Sequence, residues 1–252
     1  MNTPAEILQI WIGNGVKKAN LPVIKMILLG IAAGVYIGFG AHAFLLATAA
    51  AESVFEAGIA KLVGAALFPV GLMLVVLCGG ELFTGNNLLT LALMDKKITP
   101  AQLIKSWVVV YLANFLGSAL LALLLAHSGL YSGAAGERAI AVAAAKTGAP
   151  FMEMVIRGIF CNILVVLAVW FQAGAKDMAG KIFAIWFPIM LFVFAGFEHS
   201  VANMTYIPLG MFLSSEVTLA GFLNNLIPVT IGNLLGGALF IPVFYTLIYK
   251  EN

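Results

Sequence analysis

Two apolar stretches of this chain, residues 62–94 and 182–213, are each too long for one straight membrane span, and polar residues interrupt both. The interruptions read GGELFTGN at 79–86 and GFEHSVAN at 196–203, each with a Glu followed five residues later by an Asn. Hydrocarbon accepts an opened backbone or a carboxyl group only where protein or a water-filled path surrounds it. Two such interruptions in corresponding halves predict a binding or conduction site near the bilayer midplane.

Composition places the whole chain in the membrane class. Hydrophobic residues make up 62% and charged residues 10% of the 252 residues, whereas an average soluble domain carries about 25% charged residues. Four further apolar segments, near 25–50, 103–127, 152–173 and 225–249, complete a set of six. The sequence therefore predicts an all-α membrane protein with six transmembrane helices, of which the second and fifth are broken. The net charge of +2 gives no argument for nucleic acid as a partner, and no metal or cofactor motif is present.

A repeated pattern relates the two halves of the chain. Glu81 and Glu198 lie 117 positions apart, and the similar stretches around Asn114 and Asn233 lie 119 apart. Because three spans carry a chain to the other side of the membrane, two such units have opposite orientations. We therefore expect one transmembrane domain, 1–252, built as an inverted 3+3 repeat with copies at roughly 25–127 and 152–249. Chance similarity between Gly- and Ala-rich spans is the alternative.

The basic residues predict an orientation. With the N-terminus inside, nine basic residues fall in inner segments and four, Lys61, Arg138, Lys146 and Arg157, fall in outer ones. This bias predicts a multi-pass protein of the cytoplasmic (inner) membrane with both termini in the cytoplasm. The first residues also read as a short amphipathic helix along the membrane interface, with Ile7, Leu8, Ile10 and Trp11 on its apolar side.

Glu81 and Glu198 allow two interpretations. A charged Glu at mid-membrane costs at least about 3 kcal/mol unless it is paired, protonated or solvated. The two residues are either proton or cation ligands, or structural groups whose carboxylates accept hydrogen bonds from backbone N–H groups freed by the interruption. Their presence in both halves favours the structural role, which we also assign to Asn86.

His199 has no histidine counterpart in the first half, where Leu82 takes its place. A lone buried histidine is often only a satisfied polar group, but this one adjoins Glu198 at the interruption, and imidazole titrates near neutral pH. These two features favour a functional role. Lys146 is either a snorkelling anchor at the membrane interface or a functional cation. A membrane-embedded enzyme with His199 as its base is disfavoured, because no nucleophile or cofactor motif accompanies it.

Several motifs resemble the signatures of the formate/nitrite transporter family, and most closely those of its hydrosulfide-channel branch. They are CGGELFTGN at 78–86, FEHSVANM at 197–204, and GIFCN at 158–162 followed by LAVW at 167–170. The resemblance implies an aquaporin-like fold and a homopentamer in the lipid bilayer with one pore per protomer. It also implies small monovalent anions, namely hydrosulfide, formate and nitrite, as substrates. By motif match, the pore residues are Leu82, Phe83, Thr84, Lys146, Phe192, His199 and Asn203.

These residues suggest how an anion crosses an apolar pore, where it loses its hydration at high cost. Lys146 would concentrate anions, and His199 would donate a hydrogen bond or a proton so that the weak acid crosses in neutral form. Leu82 and Phe192 would reject strongly hydrated ions. The alternative is a neutral small-solute channel of the aquaporin type. That class is expected to carry an Asn-Pro-Ala box at each interruption, and neither interruption has one.

Overall fold

The computed structural model describes residues 1–52 and 54–250, and these residues form helices and turns with no β-strand. Six helical stretches within them are long and apolar enough to cross a membrane. The α-helices are α1 Pro4–Ala19, α2 Val23–Ala51, α3 Ala57–Leu67, α4 Val70–Leu74, α5 Leu89–Met94, α6 Pro100–Ala126, α7 Ala134–Thr147, α8 Phe151–Gly174, α9 Met178–Ala195, α10 Ser200–Leu213, α11 Leu219–Leu234 and α12 Ile241–Tyr249.

The helical path is interrupted at both polar motifs. After α4, a π-helical turn at Val75–Gly79 ends the helical stretch that begins with α3. A short 3₁₀ turn at Gly85–Leu88 then leads into α5. We call the non-helical residues 80–84 the first break. Between α9 and α10 the chain leaves the helix at residues 196–199, which we call the second break. Gly196 ends α9 in the left-handed conformation, with φ of 79°, which glycine adopts without steric cost.

Helix α1 packs against protein along most of its predicted apolar face. Ile7, Leu8 and Trp11 are buried, whereas Ile10 is 36% exposed. The helix lies so close to α5 that a Cβ atom on Gly15 would stand 2.7 Å from the Cβ of Ala92. This docking matters for the site, because α1 carries Lys18.

Helix α7 lies in a region that the sequence analysis treats as an outer loop. Its sequence, AAGERAIAVAAAKT, is rich in alanine and too weakly hydrophobic to count as a span. It packs on α10, where Gly210 leaves room for Ala143. Lys146 sits in its last turn. Helix α7 therefore brings a cation to the second break, as α1 does to the first.

Glycines allow the long helices to approach closely. A Cβ atom on Gly34 of α2 would collide with the carbonyl oxygen of Asn114 on α6. Gly232 of α11 is in the same position against the carbonyl oxygen of Val155 on α8. Gly30 and Gly38 of α2 also face side chains of α6, so this glycine face serves helix packing. These two helix pairs frame the polar interior, while large apolar side chains such as Leu112 and Phe187 cover the outside.

Candidate functional site

Two cavities with basic linings lie at opposite ends of α9. The first has a volume of about 360 Å³ and is lined by residues that include Lys18, Glu81 and Lys181, the last in the first turn of α9. We call it the Lys18 vestibule. The second has a volume of about 310 Å³ and is lined at the other end of α9 by residues that include Lys146 and Glu198. We call it the Lys146 vestibule.

A small chamber of about 10 Å³ separates the two vestibules, roughly the space of one water molecule. Phe68, Phe192 and His199 line both the chamber and the Lys146 vestibule, and Leu72 and Leu82 line both the chamber and the Lys18 vestibule. The rings of Phe68 and Phe192 meet edge to face at a centroid distance of 5.5 Å. The path therefore runs through an aromatic constriction, a narrow chamber and an aliphatic constriction. Among residues 1–52 and 54–250, His199 is the one polar side chain in the chamber wall.

The ring of His199 has a partner on each nitrogen. Its Nδ1 accepts a hydrogen bond from the backbone N–H of Ala202 at 3.0 Å, and its Nε2 lies 2.8 Å from the hydroxyl oxygen of Thr84. Because a backbone amide can only donate, Nδ1 carries no proton in this geometry. The ring proton therefore sits on Nε2 and is donated to Thr84, whose own hydroxyl hydrogen remains available to a further acceptor. His199 is thus a neutral ring that caps the N-terminus of α10.

Each buried carboxylate is bound by one lysine and one asparagine. Glu81 accepts hydrogen bonds from Lys18 Nζ at 2.7 Å and from Asn86 Nδ2 at 2.7 Å. Glu198 is bound in the same way, by Lys146 Nζ at 3.0 Å and Asn203 Nδ2 at 2.6 Å. The prediction that the two carboxylates accept hydrogen bonds from freed backbone N–H groups was wrong. An ammonium group also compensates the charge of a buried carboxylate, which a backbone amide does not.

Two other asparagines hold the opened backbone. At the first break, Asn114 Nδ2 donates to the carbonyl oxygens of Gly30 and Glu81, both at 2.8 Å, and its Oδ1 accepts from the N–H of Phe83 at 2.9 Å. At the second break, Asn233 makes the same three bonds, to the carbonyl oxygens of Gly158 and Glu198 and from the N–H of Ser200, each at 2.9 Å. The Asn114 and Asn233 stretches indicate the repeat in the sequence, but their role as backbone clamps was not predicted.

A third pair of asparagines joins the two breaks. Asn162 Nδ2 donates to Asn87 Oδ1 and to the carbonyl oxygen of Asn233, both at 2.7 Å. Asn87 in turn donates to the carbonyl oxygen of Phe83 at 3.1 Å. The first break is therefore connected through buried amides to the clamp of the second break.

The structure brings most of the predicted pore residues together. Leu82, Phe192 and His199 line the chamber, Thr84 binds His199, and Lys146 and Asn203 line one vestibule. Asn203 stands to Glu198 as Asn86 stands to Glu81, so its contacts are those of the structural group.

Phe83 differs from the prediction, because it lines none of the three cavities of the path. Its ring packs edge to face on Tyr111 at a centroid distance of 4.8 Å, beside a separate groove formed by α6 and α11. The reason is the non-helical backbone of the first break, in which Leu82 and its neighbour Phe83 point in different directions.

Lys18 is a residue of the site that sequence reasoning missed. A signal was present, because Lys18 precedes Lys146 by 128 positions, and Gly30 precedes Gly158 by the same interval. The equivalence of Lys18 and Lys146 is hard to see in the sequence alone, because the equivalent residues Glu81 and Glu198 of the two breaks are only 117 positions apart.

Comparison with known proteins identifies the family. Residues 5–247 match the sequence pattern of the family described as formate/nitrite transporter. The chain belongs to the formate/nitrite transporter family. It is 42% identical to the uncharacterised transporter YrhG of Bacillus subtilis (strain 168), over 99% of this chain and 94% of YrhG. It is 37% identical to the formate channel FocA of Escherichia coli (strain K12), over 99% of this chain and 95% of FocA.

Solved structures of this family have the same fold. An FNT family ion channel superimposes with a TM-score of 0.90 at 32% identity, covering 96% of this chain and 98% of that one. A pentameric formate channel with formate bound superimposes with a TM-score of 0.81 at 32% identity, covering 91% and 98%. The family and its structural neighbours are channels and transporters, not enzymes. The family prediction is confirmed, whereas the resemblance to the hydrosulfide branch stays a prediction.

Proposed function

We propose that this protein conducts small monovalent anions of weak acids across the cytoplasmic membrane, with formate as the first candidate substrate. The observation that carries the proposal is the path itself, in which two cationic vestibules are separated by an apolar chamber with one imidazole in its wall. Formate is favoured over hydrosulfide and nitrite by the similarity to formate channels. Family membership supports anions rather than the neutral solutes of an aquaporin-type channel.

The chamber favours weak acids for a physical reason. Transfer of a bare anion into an apolar wall costs many kcal/mol, and the cost falls sharply when the anion is protonated or accepts a strong hydrogen bond. Formate, nitrite and hydrosulfide are much stronger bases than chloride, so each takes up a proton far more readily. Discrimination then follows the basicity of the anion as well as its size.

The geometry of His199 defines its part in this mechanism. A neutral imidazole does not give up its Nε2 proton readily, and protonation of Nδ1 breaks the hydrogen bond from the Ala202 amide. We therefore propose that Thr84 and His199 act as a hydrogen-bonding pair that offers the Thr84 hydroxyl hydrogen to the passing anion. The proton that neutralises the weak acid comes from vestibule water.

The orientation and assembly also belong to this proposal. Lys61, Arg138, Lys146 and Arg157 all line one vestibule. The bias of the remaining basic residues supports a cytoplasmic position for the Lys18 vestibule. The C-terminal Asn252, predicted to be cytoplasmic, lies outside the described residues. The similarity to a pentameric formate channel supports a homopentamer. The matched bonds of the two breaks support the inverted repeat. They also extend each predicted copy by one helix, α1 before the copy at roughly 25–127 and α7 before the copy at roughly 152–249.

The test is flux into liposomes that contain the purified protein. Formate, nitrite and hydrosulfide are compared with chloride and glycerol at two pH values, with empty liposomes as the control. We expect flux of the weak acids, formate foremost, and little flux of chloride or glycerol. Glycerol flux without anion flux would establish the neutral-solute alternative, and equal flux of chloride and formate would refute discrimination by basicity.

A further inference from the structure

The charges of the Lys146 vestibule are almost all compensated. Its lining contains four basic side chains and one carboxylate. Three of the four bases form an ion pair: Lys146 with Glu198 at 3.0 Å, Arg138 with Glu52 at 2.9 Å, and Arg157 with Glu153 at 2.6 Å. The fourth base, Lys61, has no carboxylate within 4.0 Å among residues 1–52 and 54–250.

Lys61 is placed where an anion would pass. Its ammonium lies 5.9 Å from the ring centroid of Phe194, and a Cβ atom on Gly196 would stand 3.5 Å from it. Gly196 is the first residue of the second break. The free cation therefore stands at the edge of the vestibule, next to the backbone that opens toward His199.

The Lys18 vestibule has the same arrangement. Its lining contains two basic side chains and one carboxylate, and Lys18 is paired with Glu81 at 2.7 Å. Lys181 is the second base, and in the described part of the chain no carboxylate lies within 4.0 Å of its ammonium. Lys181 is the fourth residue of α9 and Lys61 the fifth residue of α3, so each stands near the start of a helix that leads to a break.

We propose that Lys61 and Lys181 are the residues that recruit anions at the two mouths, and that the buried Lys18 and Lys146 are not. This inference rests on the proposed function. A lysine bound to a carboxylate at about 3 Å forms a compact dipole without net charge, whose field falls off quickly with distance. An unpaired ammonium acts over a Debye length, about 8 Å at physiological ionic strength. An anion that bound Lys146 would also have to displace Glu198.

Two consequences distinguish recruitment from packing. Recruitment raises the anion concentration at the mouth, so it lowers the half-saturating concentration without changing the maximal flux. It also disappears when salt shortens the Debye length to about 3 Å, at about 1 M. Each free lysine is expected to raise flux at low substrate by about two- to threefold at about 10 mM salt.

The experiment compares formate flux at about 10 mM and about 1 M ionic strength, in liposomes that contain wild type, Lys61→Gln, Lys181→Gln or the double variant. Lys61→Arg and Lys181→Arg are the matched controls that keep the charge. Lys61→Met, which keeps a long unbranched side chain without the charge, replaces the Gln variant if that variant folds poorly. We expect each neutral variant to lose part of the salt dependence and the double variant to lose most of it. Maximal flux stays near wild type, and the Arg variants behave as wild type does.

The outcomes separate this inference from the proposed function. A double variant with the salt dependence and half-saturating concentration of wild type would overturn the recruitment role. Formate flux through the wild-type protein that does not depend on salt would also overturn the recruitment role, but the proposed function would stand. A wild-type protein that carries none of the tested anions would overturn both.

Discussion

The hydroxyl oxygen of Thr84 lies 2.8 Å from Nε2 of His199, so one hydrogen bond connects the first break to the second beside the central chamber. The two residues come from different halves of the chain and are not equivalent positions in the predicted repeat. The rest of each break is held by matched Lys, Glu and Asn contacts. The contact between Thr84 and His199 has no such match, and it lies at the wall of the chamber, where a functional difference between the two halves is expected.

Removal of the Thr84 hydroxyl tests this hydrogen bond. Thr84→Val keeps the shape of the side chain but leaves the Nε2 proton of His199 without an acceptor and removes the hydroxyl donor. The loss of one such hydrogen bond is expected to lower formate flux about five- to tenfold. Thr84→Ser restores the hydroxyl and should recover much of the flux. The measurement is initial flux per folded protein, and a Val variant with wild-type flux would remove Thr84 from the pathway.

Replacement of His199 distinguishes a hydrogen-bonding ring from a proton donor. Gln can accept from the Ala202 amide and donate to Thr84, so His199→Gln is expected to keep the pH profile of transport with reduced flux. His199→Phe loses both bonds, so it should change the pH dependence and weaken the discrimination against other solutes. The measurement is flux against pH for the three proteins. If Gln abolishes the pH dependence, the ring donates a proton, and identical behaviour of wild type and Phe would leave His199 as a packing residue.

Much of the architecture follows from local patterns in the sequence. Apolar segments define the spans, and the glycines and Glu residues at 79–86 and 196–203 mark the places where the helices stop. The partners of those Glu residues do not follow from local pattern. Lys18 is 63 residues from Glu81, and Lys146 is 52 residues from Glu198. Only the packing of α1 and α7 brings each pair together.

The misplacement of Phe83 has a similar origin. Phe83 belongs to a family motif whose neighbours line the path, yet the backbone of the first break turns its ring toward Tyr111. Periodicity and motif position give the depth of a residue in the membrane. The direction of its side chain in a non-helical segment depends on long-range contacts such as the Asn114 clamp.

The aromatic constriction can be tested by truncation of Phe192. Its ring is 3% exposed and meets Phe68 edge to face. Phe192→Ala is expected to lower the free energy of unfolding by about 3–5 kcal/mol and to let water into the chamber. Because the dehydration cost then falls, chloride flux should rise about tenfold relative to formate flux, which corresponds to ~1.4 kcal/mol.

The matched control for Phe192 is Phe187→Ala, on the same helix but 58% exposed. It should leave both stability and relative permeability near wild type. Leu82→Ala on the other side of the chamber is expected to act in the same direction as Phe192→Ala. Unchanged relative permeabilities in a folded Phe192→Ala protein would assign the ring to packing alone.

The ion pair of Glu81 and Lys18 tests whether the buried carboxylates are structural. Glu81 is buried, and its carboxylate binds Lys18 and Asn86. Glu81→Gln leaves the Lys18 ammonium without its counter-charge, and the loss of a charge-assisted hydrogen bond is expected to cost about 1.5–3 kcal/mol. Thermal unfolding should therefore begin at lower temperature, and less folded oligomer should be recovered.

A double variant separates the structural role from a role in transport. Lys18→Met in the Glu81→Gln background removes the uncompensated charge, so stability should recover in part. Glu153→Gln is the control, because its ion pair with Arg157 is solvent-exposed and such pairs contribute about 0–1 kcal/mol. If Glu81 were instead a proton or cation ligand, the Glu81→Gln protein would fold as well as wild type and lose pH-dependent flux, and that outcome would overturn the structural assignment.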